Sequence, residues 1–173
     1  MRLRERDIPA KFHPPATSAT MGEGLIIVLI RSQPNMNIAF FLLPKQEVVC
    51  LSTHSTLRQT LEKMEFHRYT AVPILKENGA YAGTVTEGDL LWFFKSKQDL
   101  NFETAHHFTL DDVPLRTKHE TVRIDSNMED LLRLAKVQNF VPVVDDNGIF
   151  IGIVRRGEII EYSAKSLLNN SVK

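Results

Sequence analysis

The chain has 173 residues, of which 43% are hydrophobic and 24% charged, with 21 basic side chains balancing 21 acidic ones. A net charge of zero leaves no basic surplus of the kind that nucleic-acid binding uses, so no nucleic-acid partner is expected. The single cysteine, Cys50, excludes an internal disulfide and a thiolate metal cage, and points to a reducing, cytoplasmic setting.

Residues 1–35 carry Pro9, Pro14, Pro15 and Pro34 and no sustained hydrophobic period. They are expected to be a disordered or loosely attached extension, with the folded unit starting near Met36, itself a candidate initiator. Arg2, Arg4 and Arg6 suggest the start of a signal peptide, but Glu5, Asp7 and the polar, proline-rich 9–20 segment break that pattern. The apolar runs Leu25–Ile30 and Ile38–Leu43 fall far short of the roughly 20 residues of a bilayer span. No membrane association is expected.

A strand is predicted from Glu47 to Leu51, then a helix from about Thr56 to Glu65. A Thr56/Gln59 capping box opens that helix, and Leu57, Leu61 and Met64 share its buried face. Ala71–Leu75 and Tyr81–Val85 read as strands around Asn78-Gly79, the residue pair suited to a positive-φ hairpin turn. A second helix starts near Glu87. Residues 95–120 are polar except for Phe102, Phe108, Leu110 and Val113, which are expected to pin a linker or form a short helix.

The order then starts again. Thr121–Ile124 is a strand, and a helix from about Asn127 to Gln138 follows, with a Ser126/Glu129 capping box and a stripe of Met128, Leu131, Leu132 and Ala135. Strands Phe140–Val144 and Phe150–Val154 flank Asn147-Gly148, and a last helix runs from about Gly157 to Leu168.

Residues 71–91 and 140–160 align without a gap, 69 positions apart, with Val72/Val141, Pro73/Pro142, Gly79/Gly148, Gly83/Gly152 and Gly88/Gly157 identical. One supersecondary unit is therefore built twice, each copy β-α-β-β-α. Copy one is two residues longer between its first helix and its proline. The hairpin strands are nearly all apolar and so covered on both faces, which places the chain in the mixed α/β (α+β) class. The expected division is an extension over 1–35, repeat one over 36–95, a linker over 96–120, repeat two over 121–165 and a tail over 166–173.

A tandem unit with a proline-bearing strand, an Asn-Gly turn and Gly83-Thr84-Val85-Thr86-Glu87-Gly88-Asp89 opening its second helix resembles the cystathionine-β-synthase (CBS) domain, over about Met36 to Ala164. The resemblance implies a pseudo-two-fold pair with two clefts that bind adenosine-containing ligands: AMP, ADP, ATP, S-adenosylmethionine or cyclic di-AMP. By the same resemblance, Asp89 would hold the ribose hydroxyls and Thr86 would contact ribose or phosphate. The backbone of Thr70, Ala71 and Val72, with the strand near Cys50 and Leu51, would hold the base, and Phe140 and Val141 are the matching strand positions of copy two. The physics agrees: a carboxylate can accept from two adjacent hydroxyls, and a helix N-terminus favours an anion. Thr86 and Asp89 equally form an ordinary capping pair, and that reading stands beside the first.

Copy two departs from the pattern, with Arg155, Arg156 and Glu158 at these positions. Cations at a helix N-terminus oppose its dipole by roughly 0.3–1 kcal/mol each. They mark either a phosphate-rich site or a structural filler in which Glu158 neutralises the arginines. His67-Arg68-Tyr69 is a weaker candidate for phosphate or base contact, and His106, His107 and His119 lack metal-ligand spacing. Trp92, Phe93 and Phe94 read as a packing or dimer surface. No Walker loop, nucleophile elbow or His-Glu-x-x-His helix is present, so neither enzyme chemistry nor a cofactor is expected. The resemblance implies a regulatory module that binds its ligand between the repeats. Since the chain ends at Lys173 soon after copy two, the partner it controls is expected to be a separate polypeptide or the other half of a homodimer, and a homodimer is expected. The alternative is a dimerisation or assembly protein without a small-molecule ligand.

Overall fold

The computed structural model describes residues 37–170, the last five as backbone, so the extension expected over 1–35 and the candidate initiator Met36 lie outside the described residues. After a 3-10 turn over Ile38–Phe41 comes β1 (Leu42–Pro44). Copy one is β2 (Leu51–Ser52), α1 (Leu57–His67), β3 (Ala71–Leu75), β4 (Tyr81–Thr86) and α2 (Glu87–Ser96). Copy two is β5 (Val122–Arg123), α3 (Met128–Ala135), β6 (Phe140–Val144), β7 (Phe150–Arg155) and α4 (Arg156–Asn170). The β-α-β-β-α order therefore occurs twice, in a mixed α/β fold. No described helix is long and apolar enough to cross a membrane.

Local chemistry sets the helix starts. At α1 the expected capping box forms: Thr56 Oγ1 accepts from the Gln59 N–H at 3.2 Å, and Gln59 Oε1 accepts from the Thr56 N–H at 3.0 Å. At α3 the cap is Asn127 rather than Ser126, its Oδ1 accepting from the Asp130 N–H at 2.9 Å. Ser126 Oγ is already engaged by the Arg123 N–H at 3.0 Å, so it holds the strand end instead. The buried stripe of α3 is Met128, Leu131, Leu134 and Ala135, with Leu132 displaced to the flank. The helix stops at Ala135, short of the expected Gln138, and the N–H groups of Val137 and Gln138 share the Leu134 carbonyl just beyond it.

β2 is shorter than the expected Glu47–Leu51 strand because Lys45–Glu47 winds into a 3-10 turn, leaving Leu51 and Ser52 to pair in parallel with Ile74 and Leu75. The hairpin turns also differ from a two-residue turn. Lys76 N–H reaches the Ala80 carbonyl and Gly79 N–H the Lys76 carbonyl, both at 2.9 Å, so three residues form the loop and the glycine alone takes positive φ, +82° at Gly79 and +77° at Gly148.

The strands form two sheets, β2-β3-β4 and β1-β7-β6-β5. β1 thus precedes copy one in sequence but pairs antiparallel with β7 of copy two, Leu43 opposite Ile153 and Pro44 opposite Gly152. Gly152 makes that approach possible, since a Cβ there would lie 2.2 Å from the Leu43 carbonyl oxygen. The copies meet at their hairpins. Tyr81 N–H donates to the Gly148 carbonyl at 3.2 Å, and Phe150 N–H to the Gly79 carbonyl at 3.0 Å, a reciprocal pair expected of a local two-fold. Each copy has its own core, and a third cluster of Leu75, Phe140, Phe150 and Ile153 lies between them. The linker packs into copy one's core through Leu100, Ala105, Leu110 and Val113. Phe108 covers Phe93 at 5.9 Å between ring centroids, whereas Phe102 is 77% exposed and pins little.

Candidate functional site

The end of α1 sets up one wall of a crevice between the copies. His67 and Arg68 are the two residues that copy two lacks. Arg68 takes the left-handed conformation (φ 55°, ψ 41°), with its N–H on the Glu65 carbonyl and the Tyr69 N–H on the Met64 carbonyl. A non-glycine residue is rarely held there. The turn brings Arg68 and Tyr69 to the rim, the Tyr69 ring stacked on His67 at 5.2 Å. Thr70 and Ala71 then lead into β3, with Leu43, Val48, Val49 and Pro73 beneath. Copy two supplies the opposite wall with Asn139, Phe140, Ile153 and Arg155. The crevice is open to solvent on one side and has a volume of about 320 Å³.

The crevice is an apolar slot with charge at its edge. Arg155 is half exposed and pairs with Glu158 at 2.9 Å, a surface contact worth about 1 kcal/mol at most. It is therefore free to turn to an anion, and a guanidinium is suited to phosphate. The backbone N–H and C=O of Val49, at the floor, make no hydrogen bond to any described residue.

Of the residues expected from sequence, the structure brings Thr70, Ala71, Phe140 and Arg155 together around this crevice. Val72 and Val141 are fully buried, pointing into the cores of their own copies. Leu51 is likewise in copy one's core. Cys50 packs with the cluster between the copies, and burial pushes its thiol above the ordinary value, opposed by Lys45 and Lys63. Arg156 is exposed and donates its N–H to the Asn139 carbonyl at 3.1 Å, and Glu158 is held by Arg155.

Thr86 and Asp89 lie elsewhere. Thr86 Oγ1 and N–H donate to Asp89 Oδ2 at 2.7 and 3.0 Å, and the Asp89 N–H donates to Thr86 Oγ1 at 3.2 Å, a complete capping box. Asp89 Oδ1 accepts from the Arg116 N–H of the linker at 2.9 Å, and the residue is 3% exposed. Both carboxylate oxygens thus have partners, and neither residue lines the crevice that Thr70 and Ala71 line.

Among the weaker candidates, Phe93 is core, Phe94 packs on Phe102, and Trp92 is partly exposed between Lys95 and Arg116. His119 stacks on Phe140 at 6.3 Å, its Nδ1 buried without a partner among the described residues. His106 and His107 contact one another, and among the described residues no group of three or more His, Cys, Asp or Glu side chains could hold a metal. Val48, Val49 and Asn139 line the crevice with no motif to mark them, and Arg68, expected only as a weaker candidate, stands at its rim. The visible signal for Arg68 was the two-residue excess at the end of α1.

The CBS domain profile matches residues 42–96 and 110–165. The crystal structure of a CBS domain protein from Streptococcus pneumoniae TIGR4 is similar with a TM-score of 0.70 and 23% identity, over 87% of this chain and 99% of that one. CBSX2, from Arabidopsis thaliana, in complex with AMP gives 0.60 and 26% identity over 75% of this chain and 96% of that one. CbpB from Listeria monocytogenes in complex with c-di-AMP gives 0.66 and 20% identity, again over 75% and 96%. Both copies of the repeat are matched, each across its strands and helices, and the chain belongs to the CBS domain family as a tandem pair of these domains.

Proposed function

We propose that this protein is a regulatory module that binds an adenine nucleotide in the crevice between its copies and passes occupancy to a protein partner. The observation that carries the reading is the pairing of an apolar slot, floored by a Val49 backbone with no hydrogen bond among the described residues, with Arg68 and Arg155 beside Glu47 at its rim. A base would enter between Val48–Val49, Ala71 and Phe140, and the phosphate would take Arg155 from Glu158. CBSX2 with AMP and CbpB with c-di-AMP support an adenosine ligand by likeness. The volume of about 320 Å³ lies within the roughly 300–1,000 Å³ range of ligand sites. Because the ligand touches both copies, it biases their relative tilt. By linkage, the partner must prefer one arrangement.

AMP at a hundredfold excess over its Kd should stabilise the protein by about 2.7 kcal/mol, read as a thermal shift. Arg155→Ala should weaken AMP about tenfold through the lost charge-assisted contact, while Arg156→Ala, outside the crevice, should leave affinity nearly unchanged. No shift with AMP, ADP, ATP, S-adenosylmethionine or cyclic di-AMP would end this reading.

A second observation favours self-association. Exposed apolar side chains recur at repeat-equivalent positions: Phe66 (82%) with Val137 (77%), and Leu91 (62%) with Ile160 (58%). Single exposed apolar residues need no explanation, but the same positions exposed in both copies would give two chains apolar faces to bury against each other. Sedimentation equilibrium should give a dimer that Leu91→Glu with Ile160→Glu dissociates. A monomeric wild type would leave these residues without that role.

A further inference from the structure

The duplication gives two equivalent positions beside the strands. In copy two a side chain of the protein takes the backbone groups at that position, while a groove of about 520 Å³ lined by Tyr81, Gly83, His119 and Glu120 stays open beside it. Strand pairing puts Leu51 opposite Ile74 and Val122 opposite Val143, so Val49 corresponds to Glu120, and Tyr69 corresponds to Gln138 ahead of the matched prolines. In copy one, His67 and Arg68 are interposed, and Tyr69 stands 41% exposed at an open rim. In copy two they are missing, and Gln138 turns inward until it is 3% exposed. Its Oε1 accepts from the Glu120 N–H at 2.9 Å, and its Nε2 donates to the carbonyls of Glu120 at 3.0 Å and Phe140 at 3.3 Å. The carboxamide thus occupies both backbone groups of Glu120, whose counterparts on Val49 have no partner among the described residues. An acceptor beside a donor is also the pattern an adenine edge presents. His119 lies over Phe140 next to it.

We propose that Gln138 is an internal surrogate for a nucleobase, taking the base position in copy two so that each chain takes one nucleotide, in the crevice of Arg68 and Arg155. This rests on the nucleotide reading of the crevice given above. The charge pattern agrees: Arg155 belongs to the open crevice, whereas its repeat-equivalent Thr86 is committed to Asp89.

Calorimetric titration of the full chain with AMP tests it. The wild type should bind one AMP per chain, Gln138→Ala two, and Gln138→Ala with Arg155→Glu one. Two AMP per wild-type chain, or no site gained in Gln138→Ala, overturns the proposal. If the wild type binds none, the nucleotide reading of the Arg155 crevice fails by itself, and a site gained in Gln138→Ala still upholds the plug. Gln138→Ser serves if the alanine variant does not fold. If neither folds, Arg155→Glu decides: binding that falls from one AMP per chain to none upholds the plug, and one AMP retained overturns it.

Discussion

Phe150→Ala is expected to destabilise the fold by about 3–5 kcal/mol and to bring the Tyr81 phenol down from about 12 towards its ordinary value of 10. Phe150 is 1% exposed and begins β7, where its N–H closes the reciprocal contact between the hairpins. Its ring belongs to the cluster between the copies and stacks on Tyr81 at 6.2 Å. Truncation therefore opens a cavity in the layer that holds one copy to the other, where neither core can close over it. Burial is what raises Tyr81, against a smaller opposing effect of its hydrogen bond to Thr84. The folded chain keeps that proton longer than the unfolded chain, so its contribution is complete below pH 10 and is lost as pH rises from 10 towards 12. The loss runs at about 1.4 kcal/mol per pH unit. Water entering beside Tyr81 in the variant should shrink this alkaline loss. Urea unfolding at neutral and alkaline pH, with spectrophotometric titration of the three tyrosines, checks both parts. A variant within about 1 kcal/mol of wild type would mean that the layer between the copies is not a major source of stability.

The repeat was legible because its marks are local. Proline in β3 and β6, glycine at each turn and an apolar strand on either side require no knowledge of the partner segment. Two kinds of feature were not legible. β1 pairs with β7 across more than a hundred residues, and nothing in Leu42–Pro44 specifies which sheet it joins; only the missing side chain at Gly152 records the contact. The cap of α3 was ambiguous because Ser126 and Asn127 are both good caps, and the choice rests on a hydrogen bond from Arg123. The site was half legible for the same reason. Thr70, Ala71, Phe140 and Arg155 converge, but which copy's helix start faces which strand is a matter of how the copies dock. A buried glutamine is also hidden in sequence, since Gln138 reads as a polar helix end until its partners are known.

Asp89→Ala is expected to cost about 3 kcal/mol of stability while leaving AMP affinity nearly unchanged. The carboxylate is 3% exposed and accepts from the Thr86 N–H and hydroxyl and from the Arg116 N–H. Its removal deprives α2 of a cap, about 1 kcal/mol, and leaves a linker amide without its acceptor, about 1–3 kcal/mol more. Asp89→Asn retains one acceptor oxygen and should cost less. The linker is the part expected to loosen, because Arg116 is tied to Asp89 through its N–H and lies over Trp92, 5.3 Å from the ring centroid. Trp92 is the only tryptophan, so its fluorescence reports that release directly. Denaturant unfolding and AMP titration of the same variants separate the two roles that one sequence motif can serve. A variant as stable as wild type that no longer binds AMP would assign Asp89 to the ribose. A variant that binds AMP but unfolds early, with altered Trp92 emission, assigns it to the joint between α2 and the linker, and leaves recognition to the crevice of Arg68 and Arg155.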